Sequence, residues 1–295
     1  MTRTEQIEYN KARRVIGVIL LYVGFLVLGT SWLTAIEKFL LTTFGFYYLL
    51  KTCAVYLDTE PLTRQFRRSP TTFLFFFFLW PGMNCKALST NRQQVSYEKN
   101  KGNLYSGILG IIAGLIFTFL LSVAQPGVYL LSWLGFIPFI LIFHFGLSKL
   151  LFYFSQVLGM RTKNPFPNPF SASSVADFWS RRWNLPFVEM NRCIFIPLCK
   201  IYISSSTLIF FVIFIVSGVL HEFAISYPVS AGYGKPLLYF VLQAIFAFMN
   251  KGKAFAPKLE PFLSILIVVM PLPLLFHDQF RMKFIVGFYE LLFSI

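Results

Sequence analysis

Residues 164–222 open with NPFPNPF (164–170), continue with SVADFWSRRWNLPF (174–187) and end with SGVLHE (217–222). The rest of the chain is largely apolar, so this stretch concentrates polar and ionisable groups beside and within hydrophobic runs. An ionisable side chain in a membrane segment is costly unless it faces a cavity or a partner, and it therefore marks a functional region. We take 164–222 as the core region around which the chain is organised.

Composition places the chain among integral membrane proteins. It has 295 residues, of which 56% are hydrophobic and 13% are charged, whereas a soluble domain averages about 25% charged residues. The net charge of +14 is explained by the Lys and Arg enrichment of cytosolic loops, so no nucleic-acid partner is expected. The four cysteines have no CxxC spacing and are predicted to be structural. A single membrane domain, residues 1–295, is expected.

Apolar runs predict an all-α polytopic bundle. A membrane-spanning helix needs about 20 apolar residues, and the candidate runs are approximately 15–35, 39–57, 104–124, 128–154, 207–227, 236–249, 261–276 and 284–293. A further run, TTFLFFFFLWPG (71–82), is too short to cross comfortably and ends in Pro-Gly, which predicts a re-entrant or interfacial segment. We expect about seven to nine transmembrane helices plus such partial insertions.

The distribution of basic residues predicts the orientation. Twenty of the 26 Lys and Arg residues fall in five segments, 1–14, 58–70, 84–103, 155–206 and 250–260. Loops that carry such an excess lie on the cytosolic side of a membrane. The N-terminus and the long 155–206 loop are therefore predicted to be cytosolic.

His221 and Glu222 lie together inside an otherwise apolar run. An imidazole titrates near neutral pH and can take a proton from an alcohol, so His221 is a candidate general base. A structural histidine bonded to a neighbouring helix is the alternative, and these residues alone leave both open. A zinc-protease HExxH motif needs a second histidine four residues on, where Ile225 stands. Because the three histidines are also widely spaced, no bound metal is predicted.

Two other classes of function are compatible with an ionisable group in a span. Ser217 precedes His221 by four residues on the same helical face, so an intramembrane serine hydrolase is conceivable, although the GxSxG motif is missing. Buried ionisable residues also mark transport pathways. A non-enzymatic transporter or lipid-binding protein is therefore the other alternative, although no inverted repeat is visible in the sequence.

The segment 174–187 predicts a short helix. Ser174 can cap its N-terminus, with Asp177 three residues later in the capping-box position. The helix is expected over 176–184, where Asp177 and Arg181 would form an i, i+4 pair.

The same helix is predicted to lie at the membrane interface. At helical spacing Trp179 and Trp183 share one face and would enter the headgroup layer, while Arg181 and Arg182 remain hydrated. The arginines could instead bind the phosphates of a cofactor, and the amide of Asn184 could both donate and accept hydrogen bonds.

The octapeptide DFWSRRWN (177–184), followed by a histidine deep in an apolar helix (His221), resembles the wax synthase branch of the membrane-bound O-acyltransferase (MBOAT) family. The family pattern usually has Gly between the Trp and the Arg pair, where this chain has Ser180. LWPGMN (79–84) and PLPLLFH (271–277) are similar to weaker landmarks of the family.

The resemblance implies an acyl-CoA-dependent acyltransferase with a multi-helix fold around a tunnel. It assigns the catalytic positions to His221, as the general base, and to Asn184. Acyl-CoA is then a co-substrate, with no bound cofactor, and Arg181, Arg182 and Trp183 are candidate residues for binding it. The acceptor would be a lipophilic alcohol of open identity. The protein would lie among membrane lipids, in the inner membrane of a bacterium or the endoplasmic reticulum membrane of a eukaryote.

Overall fold

The computed structural model describes residues 3–58, 69–88, 97–249 and 259–293, and the regular structure in these ranges is helical. The main helices are α1 (Arg3–Gly29), α2 (Ala35–Leu57), α3 (Pro70–Leu79), α4 (Tyr97–Ala124), α5 (Val128–Val157), α6 (175–182), α7 (185–202), α8 (Ser206–Val229), α9 (Lys235–Met249), α10 (Glu260–Leu275) and α11 (Asp278–Phe293). Short 3₁₀ turns cover Cys85–Leu88 and Pro169–Ser171. The predicted all-α membrane class is confirmed.

Within the described ranges, five helices have the length and apolar character to cross a membrane: α1, α2, α4, α5 and α8. The pair α10 and α11 would make a sixth span, but it is bent by 73°. The sequence predicted about seven to nine spans. The count is lower because α9 has only 15 residues and because two predicted runs belong to the one bent pair. The basic segments around 59–68, 89–96 and 250–258 lie outside the described residues.

Large apolar side chains cover the outside of the membrane-length helices. Leu21 and Leu28 of α1 are 75% and 84% exposed, and Leu109 of α4 is 65% exposed. A soluble protein rarely exposes continuous apolar surface of this kind. These helices therefore present a surface suited to lipid.

Several helices contain a π-helical turn, in which each backbone hydrogen bond reaches one residue farther than in an α-helix. Such turns occur at Phe178–Arg182 in α6, at Asn191–Phe195 in α7 and at Glu222–Ser226 in α8. π-turns are frequent at functional sites, and two of these three adjoin residues that the sequence singled out. They also change which side chains share a helix face.

The bend between α10 and α11 is held by buried polar groups. His277 precedes α11 and its ring accepts a hydrogen bond from the Phe280 amide. The side chain of Arg281 is buried, and it donates to the Phe276 carbonyl (2.6 Å) and to Ser132 of α5 (3.2 Å). The bend therefore fixes α11 against α5.

Candidate active site

His221 ends the α-helical part of α8, directly before the π-turn. Its Nδ1 lies 2.7 Å from the backbone carbonyl oxygen of Ser217, one turn earlier. A carbonyl oxygen can only accept a hydrogen bond, so Nδ1 carries the proton of the neutral ring. The lone pair is then on Nε2, which is the arrangement a general base requires.

Two aromatic rings from different helices contact the imidazole of His221. The ring of Phe240 in α9 has its centroid 4.5 Å away, and the ring of Phe187 in α7 lies edge-on at 6.4 Å. These contacts restrict how the imidazole can tilt. The half-buried imidazole is consequently held by one polar bond and two apolar neighbours.

The hydroxyl of Ser217 points to a different partner. It donates to the carbonyl of Ile213 at 2.9 Å, as serines in membrane helices often do. His221 therefore contacts the backbone of Ser217, and the nucleophile–base hydrogen bond of a serine hydrolase is not formed in this region of the structure.

Glu222 has a structural role in the described structure. Its Oε1 accepts hydrogen bonds from the backbone amides of Gly234 (2.9 Å) and Leu237 (3.0 Å), which lie at the first turn of α9. A carboxylate at a helix N-terminus satisfies otherwise unpaired amides and interacts favourably with the helix dipole. Glu222 thus fixes the start of α9, the helix that brings Phe240 to His221.

Asn184 lies at the junction between α6 and α7. Its backbone is left-handed (φ 48°, ψ 57°), a conformation that asparagine tolerates better than most residues. Its side-chain oxygen accepts from the Phe187 amide at 3.4 Å and so caps α7. Because Phe187 contacts His221, the structure links the two predicted catalytic positions through one aromatic residue.

The helix that carries the octapeptide is present but differs in detail from its prediction. Ser174 caps it by accepting from the Asp177 amide at 3.0 Å, as predicted, but the helix ends at Arg182. Its π-turn is closed by the hydrogen bond from the Trp183 amide to the Phe178 carbonyl (2.9 Å). The predicted pair of Asp177 with Arg181 is wrong. The wider turn brings the residue at i+5 beside Asp177 instead.

That residue is Arg182. Its Nε donates to Asp177 Oδ2 at 2.5 Å, and its Nη1 donates to the Asn168 carbonyl at 3.3 Å. Burial works against the charge of Asp177, but the Arg182 guanidinium and the Ser173 amide outweigh it and lower the pKa of the carboxyl. Arg182 therefore ties the octapeptide to the NPFPNPF segment, while Arg181 is exposed to solvent.

The two tryptophans of the octapeptide both pack against Phe178. The prediction that they share one helix face is wrong, because Trp183 lies beyond the end of the helix. Trp179 donates from Nε1 to Gln243 of α9 at 3.0 Å. Trp183 has an extended backbone and stacks on Phe178 (5.4 Å) and on His144 of α5 (5.3 Å). The indole of Trp183 thus already has two protein stacking partners, and a CoA contact remains a prediction.

Two charged residues, the buried Lys51 and the partly buried Glu189, were not predicted from the sequence to have a role. Lys51 of α2 and Glu189 of α7 both contact the loop 80–84, which follows the Phe-rich α3. The lysine was visible as a charge in an apolar run. The glutamate carried no signal, because one acidic residue in a polar loop is ordinary.

The segment that forms this site has known relatives. Residues 162–246 match the sequence model of the membrane bound O-acyl transferase family. The matched region includes both Asn184 and His221, and the resemblance predicted from the octapeptide and the embedded histidine is confirmed.

A curated protein of Arabidopsis thaliana, named probable long-chain-alcohol O-fatty-acyltransferase 7, is 32% identical over 97 residues. That alignment covers 30% of this chain and 29% of the relative. The MBOAT likeness is therefore concentrated in the region from α6 to α9, where the candidate site lies.

Proposed function

We propose that this protein is an O-acyltransferase that moves an acyl group from acyl-CoA to the hydroxyl of a lipophilic alcohol. The observation that carries the proposal is the hydrogen bond from His221 Nδ1 to the Ser217 carbonyl, which leaves Nε2 as the proton acceptor. The family match over residues 162–246 and the name of the Arabidopsis relative favour the same class of reaction.

In the proposed reaction, His221 Nε2 takes the proton of the acceptor hydroxyl as its oxygen attacks the thioester carbonyl carbon. The new C–O bond forms, the C–S bond breaks, and the proton passes from the imidazolium to the leaving CoA thiolate. The reaction requires no acyl-enzyme. Asn184 is the proposed donor to the carbonyl oxygen, on which negative charge develops.

Acyl-CoA is proposed to arrive from the cytosolic side, the side to which we also assign the N-terminus. Arg181 is exposed and precedes Asn184 by three residues in the chain, and it is a candidate for binding CoA phosphates. Arg182 is a weaker candidate, since its guanidinium already contacts Asp177 and Asn168. The acceptor alcohol is proposed to enter from the membrane.

Ester formation tests the proposal directly. Membranes containing the protein would be supplied with radiolabelled acyl-CoA and a panel of fatty alcohols, sterols and terpenoid alcohols, and the extracted lipids analysed for labelled ester. Matched membranes without the protein are the control. Labelled ester that depends on both the protein and the alcohol is expected. Release of free fatty acid without ester would contradict acyl transfer and favour a hydrolase.

A further inference from the structure

The loop 80–84 contacts two charged side chains, Lys51 and Glu189, that no step of the proposed reaction uses. Lys51 of α2 has no exposed surface, and its Nζ donates to the carbonyl of Trp80 at 2.7 Å and to that of Gly82. The same ammonium lies 3.9 Å from the centroid of the Phe76 ring. Burying a cation is costly unless it is paired or hydrogen-bonded, so these contacts fix the loop against α2.

Glu189 contacts the same loop at Gly82. A Cβ built on Gly82 would lie 2.4 Å from Glu189 Oε2 and 2.4 Å from Trp80 Nε1, so only glycine leaves room for both groups. Burial raises the pKa of the Glu189 carboxyl, and the Asn84 amide and the Lys51 ammonium oppose that rise. The Glu189 carboxylate therefore lies directly beside the backbone of the loop at Gly82.

Two buried polar atoms at this point lack a hydrogen-bond partner within the described part of the chain. They are Trp80 Nε1, a donor, and Glu189 Oε2, an acceptor, and both adjoin Gly82. A small approach of the indole to the carboxylate would join them and would close the loop against α7. The loop and α7 also share one apolar cluster through Met83 and Met190.

The position of Glu189 connects this loop to the candidate site. Glu189 is two residues beyond Phe187 on α7, the same helix that Asn184 caps, and Phe187 contacts the His221 ring. A shift of the first turn of α7 would move the Asn184 amide and the Phe187 ring together. Displacements of about 1 Å around a reacting group can cost about 100-fold in rate.

We propose that Lys51 and Glu189 are positioning residues, a clasp that holds the loop 80–84 between α2 and α7 and thereby places Asn184 and Phe187 relative to His221. The consequence for the rate rests on the proposed acyl transfer. Whether Lys51 and Glu189 hold the loop in place can be tested without an activity assay.

The kinetic test compares Glu189→Ala with Glu189→Gln. Alanine removes the carboxylate that lies beside Gly82, and we expect kcat to fall about 10- to 100-fold with KM for acyl-CoA within about twofold of wild type. Glutamine keeps an acceptor oxygen and is expected to recover most of kcat. The exposed Glu290, replaced by Ala, is the matched control. Unchanged kcat in Glu189→Ala, or a change confined to KM, would overturn the positioning role.

The second test uses Cys85, which follows the loop directly and is 6% exposed. Burial raises the pKa of its thiol to about 12, so it should react slowly with maleimides in the intact protein. In a background that lacks the other three cysteines, Glu189→Ala and Lys51→Met are expected to speed labelling about tenfold or more, because local opening exposes the thiol. Lys283→Met is the exposed control.

The two tests separate the clasp from the proposed reaction. If the wild-type protein makes no ester while the Glu189 and Lys51 variants still speed Cys85 labelling, the proposed function fails and the clasp stands. If ester forms and labelling of Cys85 is the same in all variants, the clasp is wrong and the proposed function is unaffected.

Discussion

The imidazole of His221 and the backbone carbonyl of Ser217 form a 2.7 Å hydrogen bond within one turn of α8. The bond is made to the main chain, so it depends on helix geometry and not on the identity of the side chain at 217. In a helix, every residue has a backbone carbonyl one turn before it. When the Nδ1–H of a histidine donates to that carbonyl, the neutral ring keeps its lone pair on Nε2.

Replacing His221 with Ala is expected to lower the rate of ester formation by about 100- to 10,000-fold, the range for loss of a general base. The initial rate with labelled acyl-CoA and alcohol, normalised to protein in the membrane, measures it. Ser217→Ala keeps the carbonyl that orients the imidazole, so its loss should be far smaller. Equal losses in the two variants would favour the hydrolase mechanism instead.

Asn184 has two possible roles, and each role predicts different effects of substituting it. If its amide donates to the substrate carbonyl, Asn184→Asp should lose at least about tenfold in kcat, because the carboxylate cannot donate. If its only role is to cap α7, Asn184→Asp should retain activity, since aspartate is an equally good cap, while Asn184→Ala loses both activity and thermal stability. Parallel kcat and thermal-melt measurements on the two variants distinguish the roles.

The ion pair of Asp177 with Arg182 is expected to stabilise the octapeptide region. Asp177→Asn should cost about 1–3 kcal/mol at neutral pH, the range for a hydrogen bond to a charged group. The folded pKa of Asp177 is lowered, so its stabilisation is fully present above the unfolded carboxyl pKa of about 3.9 and disappears as the pH falls through the folded pKa. Thermal melts in detergent should show a gap between wild type and variant at pH 7 that narrows below about pH 4.

The exposed Glu290 serves as the reference for that measurement. Glu290→Gln should shift the melting temperature little at either pH, because an exposed charge contributes little to stability. A gap for Asp177→Asn that widens at acid pH would contradict the sign derived from the lowered pKa.

Arg181 is the predicted CoA contact that the structure leaves exposed. Arg181→Ala should raise KM for acyl-CoA several-fold at low salt with kcat nearly unchanged, because a phosphate contact remote from the reacting atoms contributes uniform binding. The effect should shrink as added salt screens the charge. An unchanged KM at low ionic strength would remove Arg181 from the CoA site.

Much of the membrane architecture was predictable from the sequence, and the reason is local. Hydropathy depends on neighbouring residues, so the runs that became α1, α2, α4, α5 and α8 could be recognised without tertiary information. His221 was recognisable in the same way, as an ionisable group in an apolar run. The Ser174 cap is equally local, since it spans three residues.

The features that the sequence did not predict depend on local helix geometry and on contacts between distant residues, and hydrophobic periodicity reports neither. The prediction used the 3.6-residue period of an α-helix and therefore paired Asp177 with Arg181. A π-turn shifts each hydrogen bond by one residue, and in the structure Asp177 pairs with Arg182. Lys51 and the Trp80 carbonyl are 29 residues apart in the chain. No periodicity relates them, and only the packing of α3 against α2 brings them together.

Gly218 lies at a close contact between α8 and α9, one turn before Glu222. A Cβ there would lie 2.7 Å from Leu237 Cδ1 and 2.9 Å from Leu237 Cα, and the latter is backbone that cannot rotate away. Gly218→Ala should therefore push α9 outward, carrying Phe240 away from the His221 ring. We expect a loss of about 1–3 kcal/mol in stability, as for other overpacked sites, and a clear fall in kcat.

Gly24 in α1 provides the matched control, because a Cβ at that position meets nothing within 4 Å. Gly24→Ala should leave kcat unchanged and should stabilise the protein by up to about 1 kcal/mol, since alanine is the better helix former. The two substitutions add the same methyl group, so opposite shifts in melting temperature would isolate the contact with Leu237 as the cause. A Gly218→Ala protein as active and as stable as the Gly24→Ala protein would show that α9 does not position Phe240 against His221.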